Sequence, residues 1–226
     1  MISVIIPTLN EEEHIQRCIR SVGATQTGCE IILADGGSTD GTIEKAGACE
    51  GVRIVKTGRG RGLQMNRGAE AAVGDVLLFL HADTRLEEGW SRAVRSQLAD
   101  RSMAGGAFTF KVDSGERKYR LIEFWVKLRC ILFKLPYGDQ GIFVRRDIFE
   151  GLGGYREIPL MEDVDLIGRM RKKGRIAILG KKAFTHQRRW KRVGWVRASL
   201  QNQLIMILYR LGQSPDTLAK IYYRGR

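Results

Sequence analysis

Acids that end apolar runs are the residues of this chain best placed for chemistry. "EIILADGGSTDGT" delivers Asp35, with Gly37 just behind it, and "VLLFLHADT" delivers Asp83, two places after His81 and next to Ala82. If each acid ends a strand, the two carboxylates divide naturally between two tasks. One accepts hydrogen bonds from a base or ribose, and the other holds a divalent cation on a diphosphate. "GRGRGLQMN" adds Arg61 and Asn66 in and after a basic glycine loop, a cradle suited to an anion. His186, which ends "KKAFTH", is a candidate third metal ligand from the second half of the chain.

The elements that must position these residues follow from hydrophobic period. "SVIIPTL" reads as a strand, and "NEEEHIQRCIRSVG" as an amphipathic helix with Ile15, Cys18, Ile19 and Val22 on one face, Asn10 as its cap and Glu13 closing a capping box. A second strand ends at Asp35, and Thr39 or Asp40 opens a helix that closes near Cys49. "VRIVK" is a third strand, "LQMNRGAEAAVG" a helix stopped by Gly74, and "VLLFL" a fourth strand covered on both faces. Strands alternating with helices gather the strand ends along one edge of a mostly parallel sheet, where α/β proteins bind ligands. Beyond Trp90 the pattern loosens into a smaller mixed half, with a strand at "GGAFTFKV", an apolar helix from Tyr119 to Phe133 and an acidic helix start at "MEDVDL".

Composition bounds the function classes. The 226 residues are 43% hydrophobic and 28% charged, without repeats or low-complexity runs, so one folded domain is expected. Cys18, Cys29, Cys49 and Cys130 have neither zinc nor disulfide-framework spacing, which suits a reducing cytosol. The N-terminus has no charged region with a cleavage site, and secretion is not expected. The net charge of +13 is concentrated in the second half, in "RMRKKGR", "QRRWKR" and "YYRGR". Aromatics are not interleaved with these cations as stacking platforms, so nucleic acid is not expected as a partner; the charge is read as a solvated basic face, or as a face for a phosphorylated substrate or for peripheral contact with an anionic membrane. "YRLIEFWVKLRCILFKLPY" is too interrupted by charge to span a bilayer, and is read either as core or as an interfacial helix.

"VIIPTLNEE", "ADGGSTDGT", "GRGRGLQMNRGAEAAVGDVLLFLHADT", "GDQGIFVRRDIFEGLGGY" and "MEDVDL", in this order, resemble the family-2 glycosyltransferases of the GT-A fold over nearly the whole chain, from Ser3 to about Gly174. "FLHADT", "GDQ" and the trailing "RRW" resemble a bacterial subgroup of short family-2 enzymes. The resemblance implies an α/β, Rossmann-like sheet with helices on both faces, in a single domain 1–226. Residues 1–90 would form its nucleotide-binding half, 91–190 an acceptor-side half and 191–226 a helical tail.

It further implies inverting, metal-assisted transfer of a sugar from a nucleoside diphosphate sugar, a UDP-sugar by family habit, to an acceptor hydroxyl. Pro7, Thr8, Asn10, Glu11, Asp35, Gly37, Arg61, Asn66, Ala82 and Asp83 match the nucleotide-binding positions. Asp163 matches the general base, with Glu162 its nearest rival, and Asp139 and Gln140 face the donor sugar or the acceptor. Asp83 is the metal acid of a D-x-D motif whose first acid is here His81, a change that favours Mn2+ over Mg2+. The expected location is the cytoplasm, peripherally at the inner face of the membrane, with a lipid-linked acceptor as one candidate. The alternatives are a nucleotidyltransferase, which would want its glycine loop after the first strand rather than the third, and a non-catalytic membrane-surface module, which would tolerate loss of Asp83 and Asp163.

Overall fold

The structure, a computed structural model, describes residues 1–23 and 28–223; the last three residues of "YYRGR" lie outside the described residues. Its first half is built from β1 (Ile2–Thr8), β2 (Cys29–Asp35), β3 (Val52–Lys56) and β4 (Val76–Phe79), joined by α1 (Ile15–Val22), α2 (Thr42–Gly47) and α3 (Arg61–Ala71). These strands are paired in parallel in the order β3-β2-β1-β4.

Alternation along each strand explains why the runs are continuously apolar. Ile5, Ile32, Leu77 and Phe79 join one core cluster, under α3, with Met65 and Ala69. Their neighbours Val4, Ile6, Ile31, Leu33 and Leu78 join the cluster on the other face with Ile15, Cys18, Ile19 and Val22 of α1. Each such side chain, fully buried, contributes about 1.5–3 kcal/mol, which fixes strand register against a one-residue slip. At Gly68 any Cβ would collide with Ile5, so glycine sets how closely α3 lies on β1.

The second half supplies β5 (Thr84–Leu86), α4 (Trp90–Leu98), β6 (Met103–Val112), α5 (Lys118–Phe133), β7 (Ile142–Arg145), α6 (Arg146–Gly151), α7 (Glu162–Met170), β8 (Arg175–Thr185), α8 (Arg188–Val193), α9 (Trp195–Arg210) and α10 (Pro215–Tyr223). Its strands continue the same eight-stranded sheet as β7-β6-β8-β5, with β7 antiparallel to both β4 and β6.

Three local expectations are corrected. Asn10 does not cap α1, which begins at Ile15 without a side-chain cap; it adopts a left-handed φ of 54° and accepts a hydrogen bond from the Thr39 amide instead. α2 opens at Thr42, whose amide is capped by Asp40. α3 ends at Ala71, short of Gly74, whose amide bonds to Ser3 Oγ in the sheet.

Candidate active site

The carboxyl ends of β1 and β4, with the loop after β3, open into a cavity of about 950 Å3 that is closed from the other side by residues of α7, α8, α9 and α10. Hydrogen bonds between loops shape its floor. Asn10 accepts from the Thr39 amide at 2.9 Å while its own amide donates to Ser38 Oγ at 3.0 Å, tying the β1 loop to the β2 loop. Gln64 of α3 donates to the carbonyls of Thr8 and Ala34, which braces the two strand ends together.

Asp35 is buried and holds its own turn, accepting from the amides of Gly37 and Ser38 and from the Ser38 hydroxyl. Gly37 can close that turn because its φ is 93°.

One end of the cavity is a cluster of neutral imidazoles and acids bound to an arginine. The Arg188 guanidinium donates to both oxygens of Glu11, at 2.7 and 2.5 Å, and lies 3.0 Å from Asp83 Oδ2. Burial raises the Glu11 carboxyl above its ordinary range, an effect that Arg188 opposes. His186 donates its backbone amide to the Asp83 carbonyl, and its ring stacks on His14 with centroids 4.3 Å apart. Burial lowers both histidines, and each lies in the field of Asp83 and Arg188, so both rings keep a lone pair at neutral pH.

The opposite end holds the acids of α7. Arg61 donates to buried Glu162 at 3.0 Å. Burial opposes the Arg61 charge, but Glu162 first, then Tyr223 and Asp163, outweigh it. Asp163 accepts the Gly138 amide at 2.7 Å, yet burial and then the neighbouring Glu162 push its carboxyl up to about 6. His81 sits beside it: a methyl group on Gly138 would come within 2.9 Å of His81 Nε2 and 3.4 Å of Asp163 Oδ2. Burial, then Arg61, drives His81 down to about 4, so it is a neutral ring.

Asp139 also lines the cavity, its carboxyl raised by burial and its Oδ1 buried without a hydrogen-bond partner among the described residues. Tyr137 stands in front of Arg129, whose guanidinium lies 3.3 Å from the ring centroid.

The sequence-derived candidates divide by this geometry. Pro7, Thr8, Asn10, Glu11, Arg61, His81, Asp83, Asp139, Glu162, Asp163 and His186 line the cavity together. Asn66 does not: its amide exchanges hydrogen bonds with both backbone groups of Tyr155 and fastens α3 to the turn before α7. Gln140 is buried behind the wall, donating to the Phe108 carbonyl and accepting from Arg129 and the Tyr137 amide. Ala82 is buried in the core, and Asp35 and Gly37 shape the turn beneath. Sequence reasoning missed Arg188, His14, Gln64, Tyr137 and the closing face of Asn202, Ile205, Met206, Tyr222 and Tyr223. Only "RRW" signalled any of them.

Among the described residues no three of His, Cys, Asp and Glu converge as a complete metal site. Asp83 and the neutral His186 are the donor types of an open site whose other ligands come from a diphosphate and water, but Arg188 engages both, its amide donating to His186 Nδ1 at 3.3 Å and its guanidinium lying 3.0 Å from Asp83 Oδ2. The arginine on the two acids marks the same place as one where a cation is favoured.

The model of "Glycosyl transferase family 2" matches residues 3–153. A curated relative, the "PGL/p-HBAD biosynthesis glycosyltransferase" of Mycobacterium tuberculosis (strain ATCC 25177 / H37Ra), is 34% identical over 171 residues, 69% of this chain and 63% of that protein. "Glycosyltransferase AglE" of Haloferax volcanii is 27% identical over 168 residues, 68% of this chain and 55% of that one. The chain thus spans less than two thirds of the length of these relatives. Among solved structures, the mannosyltransferase PcManGT from Pyrobaculum calidifontis, in complex with GDP-Man and Mn2+, superposes with a TM-score of 0.70 at 18% identity, over 98% of this chain and 68% of that chain. S. aureus TarS 1-349 in complex with UDP gives 0.62 at 17% identity, over 82% and 60%. At such identities the likeness is one of fold, and that fold is GT-A.

Proposed function

The chain belongs to glycosyl transferase family 2, and from that membership we propose that it transfers a sugar from a nucleoside diphosphate sugar to an acceptor hydroxyl with inversion of configuration. The observation that carries the proposal is the placement of Asp163 and Asp83 in one cavity, the first with a carboxyl raised to about 6 and the second beside a neutral imidazole.

A single in-line displacement needs a base, charge neutralisation on the leaving group, and positioning. Asp163 takes the proton from the attacking hydroxyl; a carboxyl of pKa near 6 is a stronger base than an ordinary aspartate and is still ionised at pH 7. The Gly138 amide fixes the direction in which that carboxylate points. Glu162, committed to Arg61, holds the guanidinium in the cavity rather than serving as base. Neutral His81 sits beside Asp163, and Asp139 offers its free oxygen to a sugar hydroxyl. The end of β1 and the loop after it, with Pro7, Thr8, Asn10 and Glu11, receive the nucleoside, UDP by family habit. Asp83 and His186 would hold a divalent cation, Mn2+ in preference to Mg2+, which when bound supplies neutralisation of the charge on the departing diphosphate.

The acceptor is proposed to be lipid-linked and to be met at the cytoplasmic face of the membrane by peripheral contact. In support, α8 and α9 carry Trp190, Ile205 and Met206 into the cavity while α9 exposes Arg197 and Arg210 outside it. No helix among the described residues is long and apolar enough to cross a membrane.

The test is transfer from radiolabelled sugar nucleotides to a lipid extract by wild type and Asp163→Asn. The proposal expects wild-type incorporation that falls by about 100-fold or more in the variant, with nucleotide binding kept. Equal incorporation by both would remove Asp163 as base.

A further inference from the structure

We infer that the outer faces of α5 and α9 together form a docking surface for an anionic lipid bilayer, an inference that rests on the reading above only for what the bilayer would deliver. On α9 and its C-cap, Leu200, Leu204, Ile207 and Leu211 fall at i, i+4, i+7 and i+11, a single stripe, and are 65%, 48%, 55% and 74% exposed. The opposite stripe of the same helix, Ala198, Ile205 and Met206, is buried. On α5 the pattern repeats with Leu121, Phe124, Trp125 and Leu132, which are 48%, 57%, 56% and 63% exposed.

The two helices are neighbours. Both helices pack on a small core around Trp190, and at their far ends the Arg210 guanidinium lies 5.4 Å from the centroid of the Phe133 ring. An exposed apolar patch of this extent marks an interaction site rather than ordinary surface.

Charge selects the partner. α9 contains no acid, and the one acid of α5, Glu123, is buried and paired with Lys111 and Arg120. The exposed charges on these two helices and their ends include Lys127, Lys134, Arg197 and Arg210. A second copy of a chain of net charge +13 would bring like charges together around the same face. Anionic headgroups complement the cations while the acyl boundary takes the leucines and aromatics. Each helix is 16 residues long and fits an in-plane orientation.

The consequence for the cavity follows from α9 having two faces. Its inner face supplies Asn202, Ile205 and Met206 to the cavity wall. A bilayer against its outer face therefore lies about one helix diameter, roughly 10 Å, from the acceptor side of the site. An acceptor hydroxyl on a lipid headgroup would need little displacement to reach it.

The test is sedimentation of the full chain with vesicles of phosphatidylcholine alone and of phosphatidylcholine with phosphatidylglycerol, at low and high salt. Three proteins are compared: wild type, Leu200→Gln/Leu204→Gln and Lys127→Gln/Arg197→Gln. The surface predicts salt-sensitive binding of wild type to the anionic vesicles only, and a drop of about tenfold or more in partition for either variant. The exposed positions should leave melting temperature and its shift by UDP with Mn2+ unchanged, which separates docking from folding. Absence of wild-type binding at low salt, or partition of both variants equal to that of wild type, would overturn the inference. So would a wild-type dimer in gel filtration that the leucine variant turns into a monomer. Vesicle binding by a chain that binds no nucleotide would support the surface and sink the transferase reading; nucleotide binding without vesicle binding would do the reverse.

Discussion

The Arg188 guanidinium bridges Glu11 and Asp83, with Nη2 at 2.5 Å from Glu11 Oε1 and 3.0 Å from Asp83 Oδ2. The two acids come from the first and fourth strand ends of the sheet, and without a cation between them they would repel each other. A divalent metal at Asp83 must therefore compete with an internal guanidinium. Arg188→Gln should bind Mn2+ severalfold more tightly than wild type in the absence of nucleotide, as read by the free Mn2+ signal in electron paramagnetic resonance. Unchanged or weaker binding would mean that Arg188 and the metal do not share Asp83.

Asp163 links activity and stability to pH in opposite senses. Its carboxyl is raised in the folded state to about 6 from the ordinary 3.8, so the folded chain holds a proton that the unfolded chain releases earlier. That contribution to stability is complete below pH ~4 and is lost as pH rises through about 6. Asp163→Asn should accordingly be more stable than wild type at pH 8, by about 1–3 kcal/mol, and equal to it near pH 4. Chemical denaturation at the two pH values measures both. Wild-type kcat/KM should fall about tenfold per pH unit below the folded value, because the protonated acid is no base.

Glu162 and Asp163 are adjacent in sequence but should behave differently on mutation. Glu162→Gln removes the charge that holds Arg61, and leaves a half-exposed guanidinium unpaired, so the expected cost is about 1–2 kcal/mol of stability. Turnover should fall less than in Asp163→Asn while KM for the donor rises. A larger loss of kcat than in Asp163→Asn would exchange the roles of the two acids.

Gly138 tests how tightly His81 and Asp163 are set. A methyl group there would meet both side chains, at 2.9 and 3.4 Å, and would disturb the amide that orients Asp163. Gly138→Ala should keep its melting temperature within a few degrees and lose on the order of tenfold or more in turnover. Full activity in that variant would show that the Gly138 contact does not position the base.

The legible part of this molecule is the part specified by local pattern. β1, β2 and β4 could be read because burial on both faces demands uninterrupted Ile, Leu, Val and Phe, and α1 because Ile15, Cys18, Ile19 and Val22 recur at helical spacing. The acids at the strand ends were visible because a charge directly after such a run is conspicuous. Arg188 was marked only by its place in "RRW", since it meets Glu11 across 177 residues and its role rests on that distant contact. Asn66 and Gln140 looked like ligands for the converse reason. A polar side chain that satisfies buried backbone groups has the same sequence signature as one that binds substrate. β5 was hidden by its length of three residues, and its place beside β8 is set by pairing that no sequence period announces.

The central claim, that this cavity takes a nucleoside diphosphate sugar through a metal held at Asp83, is tested most directly by calorimetric titration of UDP and GDP into wild type and Asp83→Asn, with and without Mn2+. The account predicts binding to wild type that strengthens about 10-fold or more with the cation, and an Asp83→Asn protein in which the cation makes no difference. Heats absent for both nucleotides under every condition, or a cation effect of full size in Asp83→Asn, would contradict it.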